Sequence, residues 1–221
     1  PTPGADTGIC VVLVDGTGER TFVTGTGAES SVDAAALAAV PVAAADVVYV
    51  SGYSLLVPDK AAVLLDRIDH LDAAAVLVDP GPLVGEIEPA TWERLLARTS
   101  ILSANAREAR ILTGEPDRGE ASAALARRLP ASAAVVVRDG AAGCLVTRDG
   151  ATTHVPGVPV EAVDTTGAGD AHCGVLAAEL LRGADLATAA ARANAAAAIA
   201  VTRRGPATAP TRAEVDALLS G

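Results

Sequence analysis

The sequence predicts an α/β domain: a mostly parallel central sheet, helices on both faces, and antiparallel strands at one edge. Three observations carry this. From residue 46 onward, apolar runs of strand length alternate with segments of helical period. The runs at 75–79 and 134–137 are almost wholly Ala, Val and Leu, as expected of strands buried on both faces. Half of the 221 residues are hydrophobic, yet Phe22, Trp92, Tyr49 and Tyr53 are the only aromatics. A core so filled with small aliphatic groups suits close packing of helix on sheet.

Taken in order, residues 9–14 and 20–24 read as two strands joined by the turn Asp15-Gly16-Thr17-Gly18, a β-hairpin. A short helix is predicted over 32–39 and a strand over 46–51. The next helix, 59–71, carries Val63, Leu64 and Ile68 on one apolar face. Strand 75–79 ends in Asp-Pro-Gly-Pro, which must turn. Helix 89–98 has Pro89 at its first position. Strand 101–103 and helix 105–112 follow, the latter stopped by Gly114, and then helix 120–129. Strands 134–137 and 144–147 and a short strand ending at Val155 are separated by glycine-containing turns, the signature of an antiparallel edge. The remainder is helical, over 171–181, 186–201 and 213–219. There is no internal repeat and no linker long enough to divide the chain, so residues 1–221 read as one domain.

Composition removes several functions. The net charge is −10 and Lys60 is the only lysine, so the basic footprint of a nucleic-acid binder is absent, as are aromatic platforms for stacking bases. No apolar run reaches membrane-spanning length, because the alanine-rich stretch 187–201 is interrupted by Arg192 and Asn194. With no signal peptide either, a cytoplasmic protein is expected. Cys10, Cys144 and Cys173 show no C-x-x-C spacing and read as reduced, buried thiols. The three histidines lack metal-ligand spacing.

Chemistry concentrates in residues 163–170, Val-Asp-Thr-Thr-Gly-Ala-Gly-Asp. A glycine turn running into a helix leaves backbone N–H groups at Gly167, Ala168 and Gly169 without helical partners, an arrangement that receives a phosphate or a developing anion. Asp170 beside them is either a helix cap or a base working next to a phosphate. Asn105 and Glu108, three apart after a strand, have the spacing of a capping box. Arg138-x-Gly140-x-x-Gly143 also follows a strand, and could be a hairpin turn or a place where a nucleotide approaches the backbone. Neither a P-loop nor a strand-linked G-x-G-x-x-G occurs; the stretch 26–29 lacks that spacing, so an oxidoreductase of the dinucleotide-binding type is disfavoured.

In this order the segments resemble the ribokinase/PfkB-type carbohydrate kinase family, from about Thr7 to the C-terminus. Residues 164–170 look like its signature D-T-T-G-A-G-D, and Asn105-x-x-Glu108 like its N-x-x-E motif. Gly140 and Gly143 match its nucleotide-contacting glycines, and residues 194–205 the segment between its adenine pocket and its monovalent-cation loop. The resemblance implies ATP-dependent phosphorylation of a sugar hydroxyl. Asp170 would be the base, and Gly167, Ala168 and Gly169 the anion hole. Glu108 would help hold Mg2+ through water, and Asn105 would lie near the nucleotide phosphates. Arg138, Gly140, Gly143 and Asn194 would border the nucleotide. Asp164, Thr166, Ala200, Arg203 and Gly205 would supply oxygens to a K+-type ion.

The family's first strands, Gly-Gly motif, sugar-holding Asp and most of its lid are not visible, so a ribokinase-like chain shortened at its N-terminus is expected. The alternatives are a nucleotide-binding remnant with little turnover and a nucleoside kinase of the same family. A sugar is the expected small-molecule partner, its identity open. The uncovered sheet edge favours self-association, with a homodimer as its simplest form.

Overall fold

The computed structural model describes residues 4–14, 20–71 and 75–221. The predicted turn at residues 15–18 lies outside them. Strands β1 (Ile9–Val14) and β2 (Arg20–Gly25) pair antiparallel as a separate two-stranded sheet. The main sheet has six strands in sequential order: β3 (Val47–Ser51), β4 (Ala75–Asp79), β5 (Ile101–Asn105), β6 (Ala134–Arg138), β7 (Cys144–Arg148) and β8 (Ala151–Val155). Pairings β3–β4, β4–β5 and β5–β6 are parallel, and β6–β7 and β7–β8 antiparallel, so the mixed edge falls where the turns placed it.

Alternation along each strand builds two cores. Val76, Val78, Leu102, Ala104, Val135 and Val137 face one side, packed with Leu65, Trp92, Leu95 and Leu125. Leu77, Ile101, Ala134 and Val136 face the other, packed with Cys173, Leu176, Ala189 and Ala193. The first side is covered by helices α2 (Pro58–Asp69), α3 (Pro89–Leu96), α4 (Ala106–Thr113) and α5 (Arg118–Ala126), which follow the short α1 (Ala34–Ala38). The second is covered by α6 (Ala168–Leu181) and α7 (Leu186–Val201), and α8 (Arg212–Ser220) closes the chain. Leu102 has no exposed surface. Leu102→Ala is expected to lower unfolding free energy by about 2–5 kcal/mol, read from urea denaturation.

Four expectations are corrected. The buried face of α2 is Ala61, Leu65 and Ile68; Val63 and Leu64 are half-buried, because spacings of four and three select Ala61 as the first contact. Helix α5 begins at Arg118, two residues earlier than its apolar pattern, because the Asp117 carboxylate accepts from the N–H groups of Gly119 and Glu120. Helix α6 begins at Ala168 and not at Ala171, since Gly167 adopts the left-handed conformation (φ 77°) and the chain turns helical directly after it. Of the cysteines, Cys144 and Cys173 are buried, but Cys10 is exposed on the hairpin. That hairpin also leaves Ile9, Leu13, Phe22 and Val23 more than half exposed. No helix among the described residues is long and apolar enough to cross a membrane.

Candidate active site

The parallel strands end together. Pairing sets Ser51 beside Asp79 and Asn105 beside Arg138, so four polar side chains stand at the carboxyl edge of the sheet. They line a cleft of about 630 Å3 whose opposite wall includes Ala168, Gly169 and Asp170. Ligands of open α/β sheets bind at such an edge.

The far wall follows from the turn before α6. The first bond of the helix ladder runs from Ala171 N–H to the Gly167 carbonyl. The amides of Gly169 and Asp170, ahead of it, therefore stand outside the ladder, while the Ala168 N–H makes a long 3.4 Å contact with the Thr165 carbonyl. Asp170 is the third residue of the helix and is exposed to the cleft. Partial burial pushes its carboxyl up from the ordinary range, and the charge of Asp79 adds to this against Arg138. The two glycines are needed for different reasons. A Cβ on Gly167 would lie 2.2 Å from the Pro206 carbonyl oxygen, whereas one on Gly169 would lie 2.7 Å from Nη1 of Arg138.

Asn105 and Glu108 form the capping box of α4. Asn105 Oδ1 accepts from the Glu108 N–H (2.9 Å), and Glu108 Oε2 accepts from the Asn105 N–H (2.8 Å). Asn105 Nδ2 also donates to Glu108 Oε1 at 2.6 Å. The capping role and a place in the cleft thus coincide. Glu108 is 3% exposed, and burial raises its pKa. Arg138 sits between it and Asp79, with Nη2 3.0 Å from Asp79 Oδ2 and 3.5 Å from Glu108 Oε2. Three carboxylates, Asp79, Glu108 and Asp170, thus face one guanidinium. That surplus of negative charge suits a ligand that arrives with a cation, and the carboxylates are the hard oxygen donors Mg2+ prefers.

Gly140 opens a single 3-10 turn that Gly143 closes, its N–H donating to the Gly140 carbonyl, and the Asp139 N–H donates in turn to the Gly143 carbonyl. Both glycines line the cleft, as do Asn194, Ala197, Ala198 and Val201 on α7 and Val158 and Val160 on the segment after β8. Asn194, 7% exposed, donates from Nδ2 to the carbonyls of Val155 (3.2 Å) and Pro156 (3.1 Å), tying α7 to the end of β8. The result is a slot with small apolar walls and a few polar groups, the usual form of a small-molecule site.

Asp164, Thr166, Ala200, Arg203 and Gly205 are not cleft-lining; they lie where the loop before α6 meets the last turn of α7 and the loop after it. Asp164 joins the loops, accepting from the Thr166 N–H at Oδ1 and from the Gly205 N–H at Oδ2, both at 3.0 Å. The Ala200 carbonyl accepts from the Arg203 N–H and from Thr208 Oγ1, both at 3.1 Å. The Arg203 side chain turns to Glu214 and the Thr208 carbonyl, leaving its backbone to the loop. Among the described residues no group of three or more His, Cys, Asp or Glu could hold a metal. An ion here would be held by backbone oxygens and the single Asp164 carboxylate, a donor set that fits K+.

Sequence reasoning missed Asp79, Ser51, Tyr49 and Tyr53, all of which line the cleft. Asp79 had a visible signal, as a carboxylate closing a predicted strand just before a forced turn. Its partner did not, since Arg138 lies 59 residues away. The two tyrosines stand on the Asp79 side, and burial raises the pKa of each hydroxyl.

Comparison with known proteins adds to this geometry. The chain is 34% identical over 222 residues to the uncharacterized sugar kinase YegV of Escherichia coli K12, covering 95% of this chain and 66% of that protein. The chain therefore spans about two thirds of that relative's length. A double mutant of fructokinase from Vibrio cholerae O395, solved with fructose, ADP and potassium, superposes with TM-score 0.84 at 27% identity, over 99% of this chain and 74% of that one. A putative ribokinase II from E. coli, solved with ATP and Mg2+, superposes with TM-score 0.80 at 26% identity, over 99% and 72% of the two chains. The pfkB family carbohydrate kinase model matches residues 1–212. The fold is ribokinase-like, and the chain belongs to the pfkB family of carbohydrate kinases.

Proposed function

We propose that the cleft transfers the γ-phosphoryl group of ATP to a hydroxyl of a sugar or sugar-like acceptor. The observation that carries this is the meeting of an exposed carboxylate, Asp170, with the free amides at the start of α6, across a cleft from the sheet-edge carboxylates. Phosphoryl transfer asks for positioning and charge stabilisation more than covalent help. The relatives solved with ADP, ATP, Mg2+ and K+ support the same reading.

Each residue then has a task. The acceptor hydroxyl approaches from the side of Tyr49, Ser51 and Tyr53, and Asp170 takes its proton as the oxygen attacks. In place of the expected Gly167, which does not line the cleft, the amide of Asp170 joins those of Ala168 and Gly169 to receive the charge that builds on the phosphoryl oxygens, with the Gly167 turn presenting them. The nucleotide lies along Gly140, Gly143 and Asn194, its phosphates near Asn105. Glu108 would hold Mg2+ through water, and the ion would offset charge on the phosphates. A K+ ion held by Asp164 and the carbonyls of Thr166, Ala200, Arg203 and Gly205 would stiffen the turn beneath the amides.

Two tests follow. Calorimetric titration with ADP and Mg2+ should show one site per chain, and no binding would contradict the nucleotide assignment. The rate should also follow the ionisation of Asp170. The base works only when deprotonated, and burial with Asp79 holds its pKa above the ordinary carboxylate value. kcat/KM should therefore fall as pH drops through that raised value, and a profile flat down to the ordinary aspartate range would exclude Asp170 as the base.

A further inference from the structure

Resting on that kinase reading, we propose that Arg138, fixed by Asp79, backs the amide cradle of α6 with a full positive charge, and so acts on the charge of the group in transfer and not on the grip of the nucleotide. Arg138 is then a positioning residue for the phosphoryl site, and Asp79 is the residue that positions it.

The geometry gives the guanidinium little choice of place. Nη2 lies 3.0 Å from Asp79 Oδ2 and 3.4 Å from the Ser103 carbonyl. Nη1 lies 3.8 Å from the Cys173 sulfur on the second turn of α6. The same Nη1 would be 2.7 Å from a Cβ on Gly169, so the guanidinium is pressed against the backbone whose N–H groups face the cleft. Only 11% of the Arg138 side chain is exposed. Its Nη2 bonds to Asp79 and to the Ser103 carbonyl fix the guanidinium, while Nε is buried without a hydrogen-bond partner.

The charges around it point the same way. Asp79 from β4, Glu108 from α4 and Asp170 from α6 surround this one cation, with the neutral hydroxyls of Tyr49 and Tyr53 on the β3 side. Removing the guanidinium leaves two buried carboxylates facing an incoming phosphoryl group. A rigid planar fork held by a carboxylate keeps its charge in place without reorganisation while the reaction proceeds, which is what makes fixed charges effective in a dry site. The nucleotide-binding walls at Gly140, Gly143 and Asn194 do not depend on it.

The test is calorimetry on the whole chain with MgADP alone and with MgADP plus aluminium fluoride, which imitates the phosphoryl group in flight. In Arg138→Met, MgADP affinity should stay within about threefold of wild type, while the gain from aluminium fluoride should fall about 100-fold, the scale on which one stabilising donor is lost. Arg138→Lys should recover most of that gain because charge is kept. Asp79→Asn should lose part of it, about tenfold, because the charge stays but is no longer fixed. Equal weakening of both ligands in Arg138→Met would make Arg138 a nucleotide contact, and no weakening of either would make it structural; both overturn the proposal. If Arg138→Met does not fold, Arg138→Lys and Asp79→Asn decide. The proposal requires Asp79→Asn to lose more of the fluoride gain than of ADP affinity, and Arg138→Lys to retain most of it. A wild-type chain that binds MgADP without any gain from aluminium fluoride places the fault in the kinase reading itself, and the proposal falls with it. A gain present in wild type and intact in Arg138→Met sinks the proposal alone.

Discussion

Asp170→Asn should lower the rate of phosphoryl transfer by about 10²–10⁴-fold, the usual contribution of a positioned base, while leaving MgATP affinity the same or slightly better. The amide keeps the size and shape of the side chain and its place at the third position of α6, but it cannot accept a proton. The residues proposed to wall the nucleotide, Gly140, Gly143 and Asn194, lie elsewhere in the cleft, so nucleotide binding should survive. Removing one of the three carboxylates near the proposed phosphate position also reduces like-charge repulsion, which sets the direction of any change in affinity. Initial rates and calorimetry on the same preparation separate the two quantities. Turnover equal to wild type would remove Asp170 from the chemistry.

Gly167→Ala should damage both stability and rate. Gly167 stands at φ 77°, where a side chain is strained, and its Cβ would lie 2.2 Å from the Pro206 carbonyl oxygen. That neighbour is backbone and cannot swing aside. Strain of this kind costs about 1–3 kcal/mol before the overlap is counted, and relief requires the loop around Pro206 to part from the α6 turn. The same movement would pull at Asp164, which holds Gly205 to the turn. Displaced amides at the head of α6 should lower kcat by about 10²-fold or more, as when an oxyanion donor is lost. Thermal melts and initial rates check the two effects. A variant with wild-type melting and rate would show that the turn is not held as described.

The parts of the site legible in the sequence are those whose chemistry is local. Asn105 and Glu108 lie one helical turn apart, so their capping box could be read from spacing alone. The turn into α6 announced itself by two glycines and an aspartate, and only the first helical residue was misplaced, because Gly167 lets the helix begin sooner than its apolar pattern does. The sheet was legible because unbroken Val/Ala/Leu strands have few other uses. The Arg138–Asp79 pair was not, because it depends on three parallel strands, β4, β5 and β6, ending in register, and register is not written in any strand by itself. Arg138 therefore read as one residue of a turn motif bordering the nucleotide, whereas its guanidinium lies against Asp79 at the sheet edge and Gly169 at the base of α6. Likewise Gly169 read as part of the glycine turn and its anion hole, and the guanidinium packed against it was not visible.

The most direct test of the whole account is transfer of the label from γ-labelled ATP to a panel of sugars and nucleosides by the purified chain, with Asp170→Asn run beside it. The account predicts a labelled phosphate ester on at least one acceptor with the wild-type protein, and almost none with Asp170→Asn. Ester formed equally by both proteins would contradict it.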